Sequence, residues 1–370
     1  MRGTYVRKAW AHDPTLYAPK RYRRACSYDA FVPDPISQLE ITLPGQLAAA
    51  ISEAETGISA LNADSPERLA PLARLLLRTE SIASSKVEGL QVDARSLARA
   101  EVNQETGRQI GPQAIEILAS IDAMELAIEQ TTDTRAIDVA DLREIHRALL
   151  TRVAPKIAGA VRDVQNWIGG NDYNPCGAAF VPPPPELLDG LLADLCTFCN
   201  EDSLSPLVQA AIAHAQFETI HPFLDGNGRI GRLLITMILC AEGALSQPFL
   251  YLSLYFKQNR DDYYAALQRV RSDGDWEGWM AYYLEGIDWT ARQTTETTMQ
   301  LLDLFRSDRE RVLTASRGKA MLRVSGKRAN AMLGLMLLMW CWIRIKAWLA
   351  RRFLNRRAGR GHRRSIFPTY

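Results

Sequence analysis

The part of the chain best suited to chemistry is residues 217–232, which read FETIHPFLDGNGRIGR. Its centre, from Asp225 to Gly228, is a glycine-containing turn that leads directly into a helical pattern. Glycines let a ligand approach the backbone closely, and the free amides at the start of a helix bind anions. These residues therefore predict an anion-binding loop at a helix N-terminus.

Two arginines in the first turn of that helix, Arg229 and Arg232, indicate the same kind of ligand. Cations there oppose the helix dipole, so helix stability alone does not favour them. A polyphosphate does favour them, because guanidinium groups make charge-assisted hydrogen bonds to phosphate oxygens. Asp225 adds a hard oxygen ligand that suits Mg²⁺ bridging phosphates. His221, with an ordinary pKa of about 6.5, suits removal of a proton from a hydroxyl at neutral pH.

The segment from His221 to Arg232 resembles the signature of the Fic/DOC family, H-x-F-x-[DE]-G-N-G-R-x-x-R, at every fixed position. Members of this family mostly transfer AMP from ATP to a hydroxyl side chain of a target protein and release pyrophosphate. The DOC branch, associated with kinase chemistry, has Lys in place of the second glycine and lacks the last arginine. Gly228 and Arg232 are both present here, so the resemblance favours AMP transfer.

The resemblance also implies a role for each residue of the motif. His221 would be the general base, Asp225 would hold Mg²⁺ against the α- and β-phosphates, and Phe223 would be a buried anchor. ATP would be bound by the loop, both arginines and two tyrosines that align with nucleotide-proximal tyrosines of the family: Gly226, Asn227, Gly228, Arg229, Arg232, Tyr263 and Tyr264. For the two tyrosines, ordinary helix packing is the alternative.

Residues 160–182 contain two short extended runs around GGNDYNPCG and predict a hairpin-like loop. The sequences VQNWIGG and AAFVPPPPELL in this region resemble the flap of the Fic/DOC family. An extended flap edge, here at Ile168, Gly169 and Gly170, can pair with the backbone of a target peptide and present its hydroxyl. An ordinary connecting hairpin is the alternative.

After the two arginines, a second departure from helix-dipole preferences lies at the end of a helix predicted over residues 66–87. Glu88 is in its last turn, where the helix dipole disfavours an anion, and Ser84 is four residues earlier on the same face. The segment from Ser84 to Gly89 resembles the inhibitory motif of the family, [ST]-x-x-x-E-[GN]. The resemblance implies that Glu88 pairs with Arg232 and prevents productive binding of the γ-phosphate. An ordinary surface carboxylate is the alternative.

Helical periodicity surrounds these motifs, so the predicted fold class is mainly α. The resemblance, which covers about residues 28–300, implies a Fic-fold helical core with a small β-hairpin flap, an N-terminal helical region and a basic C-terminal tail. Helices are predicted over 66–87, 112–130, 139–152, 186–200, 206–220, 228–241, 259–272 and 276–305. The expected divisions are a basic arm (1–27), an N-terminal region with the inhibitory helix at 66–89 (28–110), a catalytic core (111–300) and a basic C-terminal region (301–370).

Charge is distributed unevenly along the chain. Residues 311–370 contain 15 Lys or Arg and no Asp or Glu, so the whole-chain totals of 44 basic and 42 acidic residues leave residues 1–310 with a net charge of −13. The family would lead us to expect a winged-helix domain at this end, but no helix-turn-helix spacing is visible. A nucleic-acid-binding tail, a basic helix lying on a membrane surface and translation in a shifted reading frame after Glu310 all stay open.

The composition excludes several other classes of protein. With 47% apolar and 23% charged residues the chain is an ordinary globular protein, not a disordered one. The longest apolar run, residues 331–343, is too short to cross a membrane, and the first thirty residues show no secretory signal. Six scattered cysteines do not suggest a disulfide framework. We therefore expect a cytoplasmic protein with reduced thiols and no transmembrane segment.

The resemblance thus implies a protein adenylyltransferase, a nucleotidyltransferase that uses ATP as substrate and Mg²⁺ as cofactor. Its partner would be a hydroxyl-bearing target protein or the protein itself, modified on Ser, Thr or Tyr, and Glu88 would inhibit it. Two alternatives remain: an enzyme that mainly removes AMP, and an inactive regulator whose C-terminal region binds nucleic acid. Assembly as a homodimer is a further option.

Overall fold

The computed structural model describes residues 3–38, 44–63, 66–91, 94–134, 136–246 and 250–317. Within these ranges the chain is mostly helical, as predicted. The helices are α1 (Gly45–Ala63), α2 (Pro66–Val87), α3 (Ala94–Glu105), α4 (Pro112–Thr134), α5 (Val139–Leu150), α6 (Leu188–Cys199), α7 (Pro206–Ile220), α8 (Asn227–Ala241), α9 (Leu252–Gln258), α10 (Arg260–Asp273) and α11 (Trp276–Arg317). Each of the eight predicted helical segments is helical, whereas α1, α3 and α9 were not predicted.

The helix pair α7 and α8 lies at the centre of the fold. All residues of α7 from Leu207 to Ile220 are buried, and small side chains such as Ala211 and Ala215 let neighbouring helices approach closely. α8 packs against α7 and α4 through the apolar stripe that the sequence predicted, which includes Ile230 and Leu234. The loop between α7 and α8 carries the motif, so two core helices hold both of its ends.

A two-stranded antiparallel sheet differs from the prediction in its position. Strands β1 (Gly3–Trp10) and β2 (Cys26–Pro33) pair in a register that sets Gly3 opposite Pro33 and Trp10 opposite Cys26. The sequence predicted a basic arm at 1–27, without a partner strand for it, and placed the β-hairpin at 160–182, where the structure has a single bridge between Ile168 and Phe180. Three glycines with positive φ, at positions 169, 170 and 177, interrupt a longer ladder there.

Two cysteines do not follow the expectation of unpaired thiols. Cys26, at the start of β2, and Cys176 form a disulfide across 150 residues of sequence. Cys196, Cys199 and Cys240 are free. A pairing over such a distance depends on the tertiary structure and leaves no signal in the spacing of cysteines.

The described residues up to Thr294 form one compact unit, and the described residues from Thr295 onward belong to a second. Of the second unit, the structure describes residues 295–317, which are the C-terminal part of α11. None of the described helices combines the length and the apolar character needed to cross a membrane. The tail from 318 onward lies outside the described residues, so the three explanations for its charge stay predictions.

Candidate active site

His221 follows α7 directly and has a left-handed backbone conformation, with φ of 48°. Such a conformation is uncommon outside glycine and persists where surrounding contacts hold it. Here the His221 N–H donates to Phe217 O at 2.9 Å, and its carbonyl accepts from Arg162 Nε at 2.9 Å and Asn166 Nδ2 at 3.2 Å. The chain therefore leaves α7 with the imidazole in one defined position.

Arg162 is a buried residue that the sequence did not single out. Besides the His221 carbonyl, its guanidinium donates to Val164 O at 3.1 Å and Pro183 O at 2.6 Å. Burial lowers the pKa of Arg162 to about 10, which still leaves it charged at neutral pH. Arg162 therefore joins both ends of the 160–182 region to the residue that the sequence predicts to be the base.

The His221 side chain is half-buried and neutral at pH 7. Burial, followed by the positive charge of Arg271 and then that of Arg162, lowers the pKa of His221 to about 4. Its Nδ1 lies 3.4 Å from the carbonyl oxygen of Glu218, which can only accept a hydrogen bond, so Nδ1 carries the proton. The lone pair on Nε2 is therefore the one that can take a proton from a substrate.

The motif loop is closed by the side chain of Asn227, the first residue of α8. Its Oδ1 accepts from the Phe223 N–H at 2.8 Å, and its Nδ2 donates to Phe223 O at 2.7 Å. Gly226, with φ of 81°, makes the turn into the helix. Asn227 was predicted to contribute to the anion site. In the structure its side chain is used instead to bond the backbone of the loop itself. The backbone amides at the start of α8 are what the loop offers to an anion.

Arg229 is a buried cation beside the motif loop. Its side chain is only 7% exposed, and among the described residues its Nε and Nη1 atoms have no hydrogen-bond partner. Its acidic neighbours are more distant, with Asp225 Oδ1 3.5 Å from Nη2 and Glu116 Oε2 3.8 Å from Nη1. Because buried donors without acceptors destabilise a protein, a phosphate group at this position would supply the missing acceptors.

Asp225 fits a metal role only together with a nucleotide. Its side chain is 60% exposed, and Oδ1 accepts the Gly226 N–H at 2.6 Å. Within the described ranges, no group of three or more His, Cys, Asp or Glu side chains is arranged to hold a metal ion. Mg²⁺ at nucleotide sites commonly uses one or two carboxylates together with phosphates and waters. One exposed carboxylate beside a phosphate site is compatible with that pattern.

The ion pair that the sequence predicted between Glu88 and Arg232 is present. Glu88 Oε1 accepts from Arg232 Nη2 at 2.8 Å, and Arg232 also donates to the Ser84 hydroxyl and carbonyl, each at 3.0 Å. Gly89 ends the helix with φ of 91°. A Cβ placed on Gly228 would overlap the Glu88 carboxylate, so this carboxylate lies directly against the motif loop.

Charge keeps Glu88 ionised. Burial raises the pKa of Glu88, but the charge of Arg232 and the hydrogen bond from it together lower this pKa by more. The net effect is a pKa below the ordinary value. Two other carboxylates near Arg232 behave differently, because burial raises the pKa of Glu80 and that of Glu218 to about 7. The Ser253 N–H and hydroxyl donate to Glu80, a residue that nothing in the sequence marked.

The two predicted nucleotide-proximal tyrosines lie in different environments. Tyr263 is buried, its hydroxyl donates to His214 Nε2 at 2.9 Å, and its ring stacks on Phe256 at 4.5 Å. Tyr264 is 40% exposed, with the Arg260 guanidinium 5.2 Å from its ring centre. Tyr263 thus makes the contacts of the helix-packing alternative, and Tyr264 is the one whose ring is accessible to a ligand.

The predicted flap edge is held at one point. The Ile168 N–H donates to Phe180 O at 2.8 Å, and the Phe180 N–H donates to Ile168 O at 3.1 Å. Gly169 and Gly170 follow with φ of 72° and 82° and are exposed. The base of the flap contacts the motif loop, because Asn166 Nδ2 donates to Phe223 O at 3.0 Å.

His146 on α5, which no sequence pattern marked, contacts the motif loop. Its Nδ1 accepts from the Gly159 N–H at 2.9 Å, so Nε2 carries the proton and donates to Asp225 O at 3.0 Å. Its ring also stacks on Phe223, the predicted buried anchor, with centroids 3.8 Å apart. Burial lowers the pKa of His146 to about 4, which keeps this pattern of donors and acceptors at neutral pH. No local pattern marks it, because both of its partners are distant in sequence.

Comparison with known proteins gives matches over both parts of this site. A family model described as "Fic/DOC family" matches residues 136–239, and one described as "Fic/DOC family N-terminal" matches residues 48–129. The "Protein adenylyltransferase fic-1" of Caenorhabditis briggsae is 28% identical over 220 residues, which are 57% of this chain and 40% of that protein. The "Protein adenylyltransferase Fic" of Drosophila grimshawi is 31% identical over 194 residues, or 50% of this chain and 37% of that protein.

Solved structures show the same fold. A Fic family protein from Desulfovibrio desulfuricans G20 superposes with a TM-score of 0.59 at 24% identity, covering 73% of this chain and 81% of that one. A fragment of Fic-1 from C. elegans gives a TM-score of 0.54 at 21% identity, with 69% of this chain and 73% of that one covered. The chain spans about 40% of the length of the curated relatives it matches.

Proposed function

The chain belongs to the Fic/DOC family, and we propose that it is a protein adenylyltransferase. In this reaction the hydroxyl of a Ser, Thr or Tyr side chain attacks the α-phosphorus of ATP, AMP becomes attached to that oxygen, and pyrophosphate leaves. The names of the relatives support this class of activity. The target can be another protein or the chain itself.

One observation carries the proposal: the buried guanidinium of Arg229, with two nitrogens that lack hydrogen-bond partners among the described residues, beside the amides that begin α8. This arrangement is suited to a polyphosphate. His221, which is neutral at pH 7, ends the preceding helix and opens the same loop. An anion site next to a neutral imidazole is what hydroxyl attack on a phosphate requires.

The residues would share the work as follows. His221 Nε2 would accept the hydroxyl proton, and the negative charge of bound phosphates would raise its pKa from about 4 towards neutrality. Arg229 and, once released from Glu88, Arg232 would bind the outer phosphates. Mg²⁺ would supply charge neutralisation at the phosphates, held on the protein side by Asp225. His146 and Asn227 would keep the loop in shape through its backbone.

We also infer that Glu88 inhibits the enzyme. Its carboxylate occupies Arg232 at 2.8 Å and lies over Gly228, where a γ-phosphate would need to contact both. Two like-charged groups cannot share the Arg232 guanidinium in this position without strong repulsion. ATP bound while Glu88 is in place would therefore have its phosphates displaced from the productive arrangement.

The edge at Ile168, with Gly169 and Gly170, is the proposed docking site for the target backbone. Backbone pairing selects an extended segment without demanding a particular side chain. A cytoplasmic location remains a prediction from the sequence, and nucleic-acid binding by the C-terminal region rests on residues outside the described ranges.

The replacement His221→Ala tests the proposed reaction. Loss of a general base lowers the rate by roughly 10²–10⁴-fold, whereas the Arg229 site is left intact, so ATP affinity measured by calorimetry should be unchanged. His221→Ala is best made in Glu88→Gly protein, in which the rate of AMP transfer is expected to be easiest to measure. Transfer by His221→Ala at the rate of its parent would exclude His221 as the base.

A further inference from the structure

The N-terminal hairpin, residues 3–33, packs on the flap, residues 160–182. Three aromatic pairs link the two segments with ring centroids 5.3–6.1 Å apart: Trp10 with Trp167, Tyr22 with Tyr173, and Phe31 with Phe180. Pairs at such distances add to the stability gained from burial alone. The contacts with the flap therefore involve β1, β2 and the segment that connects them.

Backbone contacts continue this association. The Phe31 N–H of β2 donates to Val181 O at 2.9 Å, and Phe180 beside it bridges to Ile168. Neighbouring segments therefore lie in the order β1, β2, residues 180–181 and Ile168. The proposed target-docking edge is the last of these segments. Residues 180–181 thus lie between the hairpin and the edge on which a target peptide would pair.

The turn of the flap is fixed to the hairpin as well. Asn174 is buried and its Nδ2 donates to Tyr22 O at 2.7 Å. Two residues further on, Cys176 forms the disulfide with Cys26 at the start of β2. Both cysteines are half-buried, so a small thiol can reach them. At its other end the flap holds the backbone of His221 through Arg162 and Asn166.

We infer that Cys26 and Cys176 are a reversible redox site that fastens the flap to the N-terminal hairpin and so controls engagement of the target. The disulfide is the one covalent link between the two segments among the described residues. A disulfide that a thiol can reach is among those most open to reduction and regulation. The effect on the target rests on the proposed function, whereas the fastening of the flap does not.

The chemical step is thiol–disulfide exchange with a dithiol reductant. One thiolate of the dithiol attacks a sulfur of the Cys26–Cys176 bond, which breaks that bond and forms a mixed disulfide. The second thiolate of the dithiol then attacks the mixed disulfide and closes an intramolecular disulfide. The protein gains two electrons and two protons as two thiols, and the dithiol loses the same number.

The first test measures the protein without any transfer reaction. Full-length protein purified without reductant is alkylated in the native state before and after treatment with dithiothreitol, and hydrogen exchange is followed in peptides covering 3–33 and 160–182. We expect alkylation at Cys26 and Cys176 only after reduction. We also expect flap amides to exchange at least about tenfold faster in the reduced protein.

Two variants control this test. Cys26→Ser with Cys176→Ser should show fast flap exchange with or without reductant, and Cys240→Ser, which removes a free thiol, should behave as wild type. Flap exchange that is the same in the oxidised and reduced wild type would overturn the inference. So would native alkylation of both cysteines in protein kept from reductant under air.

The second test measures the functional consequence. Glu88→Gly protein, oxidised or reduced, is incubated with ATP labelled on the α-phosphate and a cell lysate from which small thiols have been removed. We expect about tenfold less labelling of lysate proteins by the reduced enzyme, with equal ATP affinity in both states. Equal labelling would refute the control of target engagement. Absence of labelling in both states would refute the proposed function, and the exchange measurement would still decide whether the disulfide fastens the flap.

Discussion

Replacing Glu88 with glycine removes the carboxylate that contacts Arg232 and changes no residue of the motif loop. The contact is short, at 2.8 Å, and its two partners differ in exposure, with 2% of the Arg232 side chain and 35% of the Glu88 side chain exposed. Position 88 follows the last residue of α2, so glycine there does not interrupt the helix. We expect Arg232 to become available to the γ-phosphate.

The size of the effect follows from the ion pair. Opposite unit charges about 4 Å apart attract by about 4 kcal/mol where the effective dielectric constant is about 20. Because Glu88 is one-third exposed and screened by water, we halve this figure to about 2 kcal/mol. Since about 1.4 kcal/mol corresponds to tenfold in rate, kcat/KM for ATP should rise roughly 30-fold.

The assay is transfer of α-labelled AMP at ATP concentrations below KM, compared among three variants. Glu88→Gln keeps the shape of the side chain without its charge and should give an intermediate rate. Glu101→Gln breaks a different ion pair, between Glu101 and Arg78 at 2.9 Å, and should leave the rate unchanged. If Glu88→Gly and wild type transfer AMP equally fast, the ion pair is not inhibitory and the reasoning is wrong.

Three further predictions concern neighbouring residues. Arg229→Ala should weaken ATP binding about 10- to 100-fold in calorimetry, because a buried charged donor to phosphate is lost; unchanged affinity would contradict the phosphate role. Arg260 Nε donates to Val87 O at 2.8 Å at the end of the inhibitory helix, so Arg260→Gln should raise transfer about two- to fivefold in wild type but not in Glu88→Gly. Equal gains in both backgrounds would show that Arg260 acts elsewhere. Burial raises the pKa of Glu218 to about 7, so the folded protein keeps a proton that the unfolded chain has lost, and stability falls as pH rises from about 4.5 to 7. Glu218→Gln should remove the contribution of Glu218 to this fall and leave that of Glu80, whose pKa is raised in the same way, with up to about 3 kcal/mol gained at pH 8 and nothing at pH 4 in urea unfolding; a pH dependence parallel to that of wild type would contradict it.

The motif and its helices could be predicted because their signals are local. The apolar stripe of α8 and the residues from His221 to Arg232 lie within one stretch of sequence, and the structure joins them as expected. The pairing of Glu88 with Arg232 is not local, but both residues violate helix-dipole preferences, and each violation can be read from its own helix.

The residues that the sequence could not indicate owe their roles to contacts between distant segments. His146 contacts Asp225 from 79 positions away, and Cys26 reaches Cys176 across 150. The sheet was misplaced for the same reason, since β1 and β2 are joined by fifteen residues and lack a tight-turn signal. Asn227 shows a further limit, because residue type alone does not tell whether an amide binds a ligand or closes its own loop.

The central claim is that AMP is transferred from ATP to a hydroxyl. Its most direct test is to incubate the Glu88→Gly protein with a cell lysate and ATP labelled on either the α-phosphate or the γ-phosphate, followed by mass spectrometry of the labelled proteins. Relative to lysate without the enzyme, the proposed mechanism predicts added label from the α-phosphate only, the added mass of one AMP on Ser, Thr or Tyr, and loss of both signals in Glu88→Gly with His221→Ala. Added label from the γ-phosphate above that of lysate alone, or added α-label that persists without His221, would contradict it.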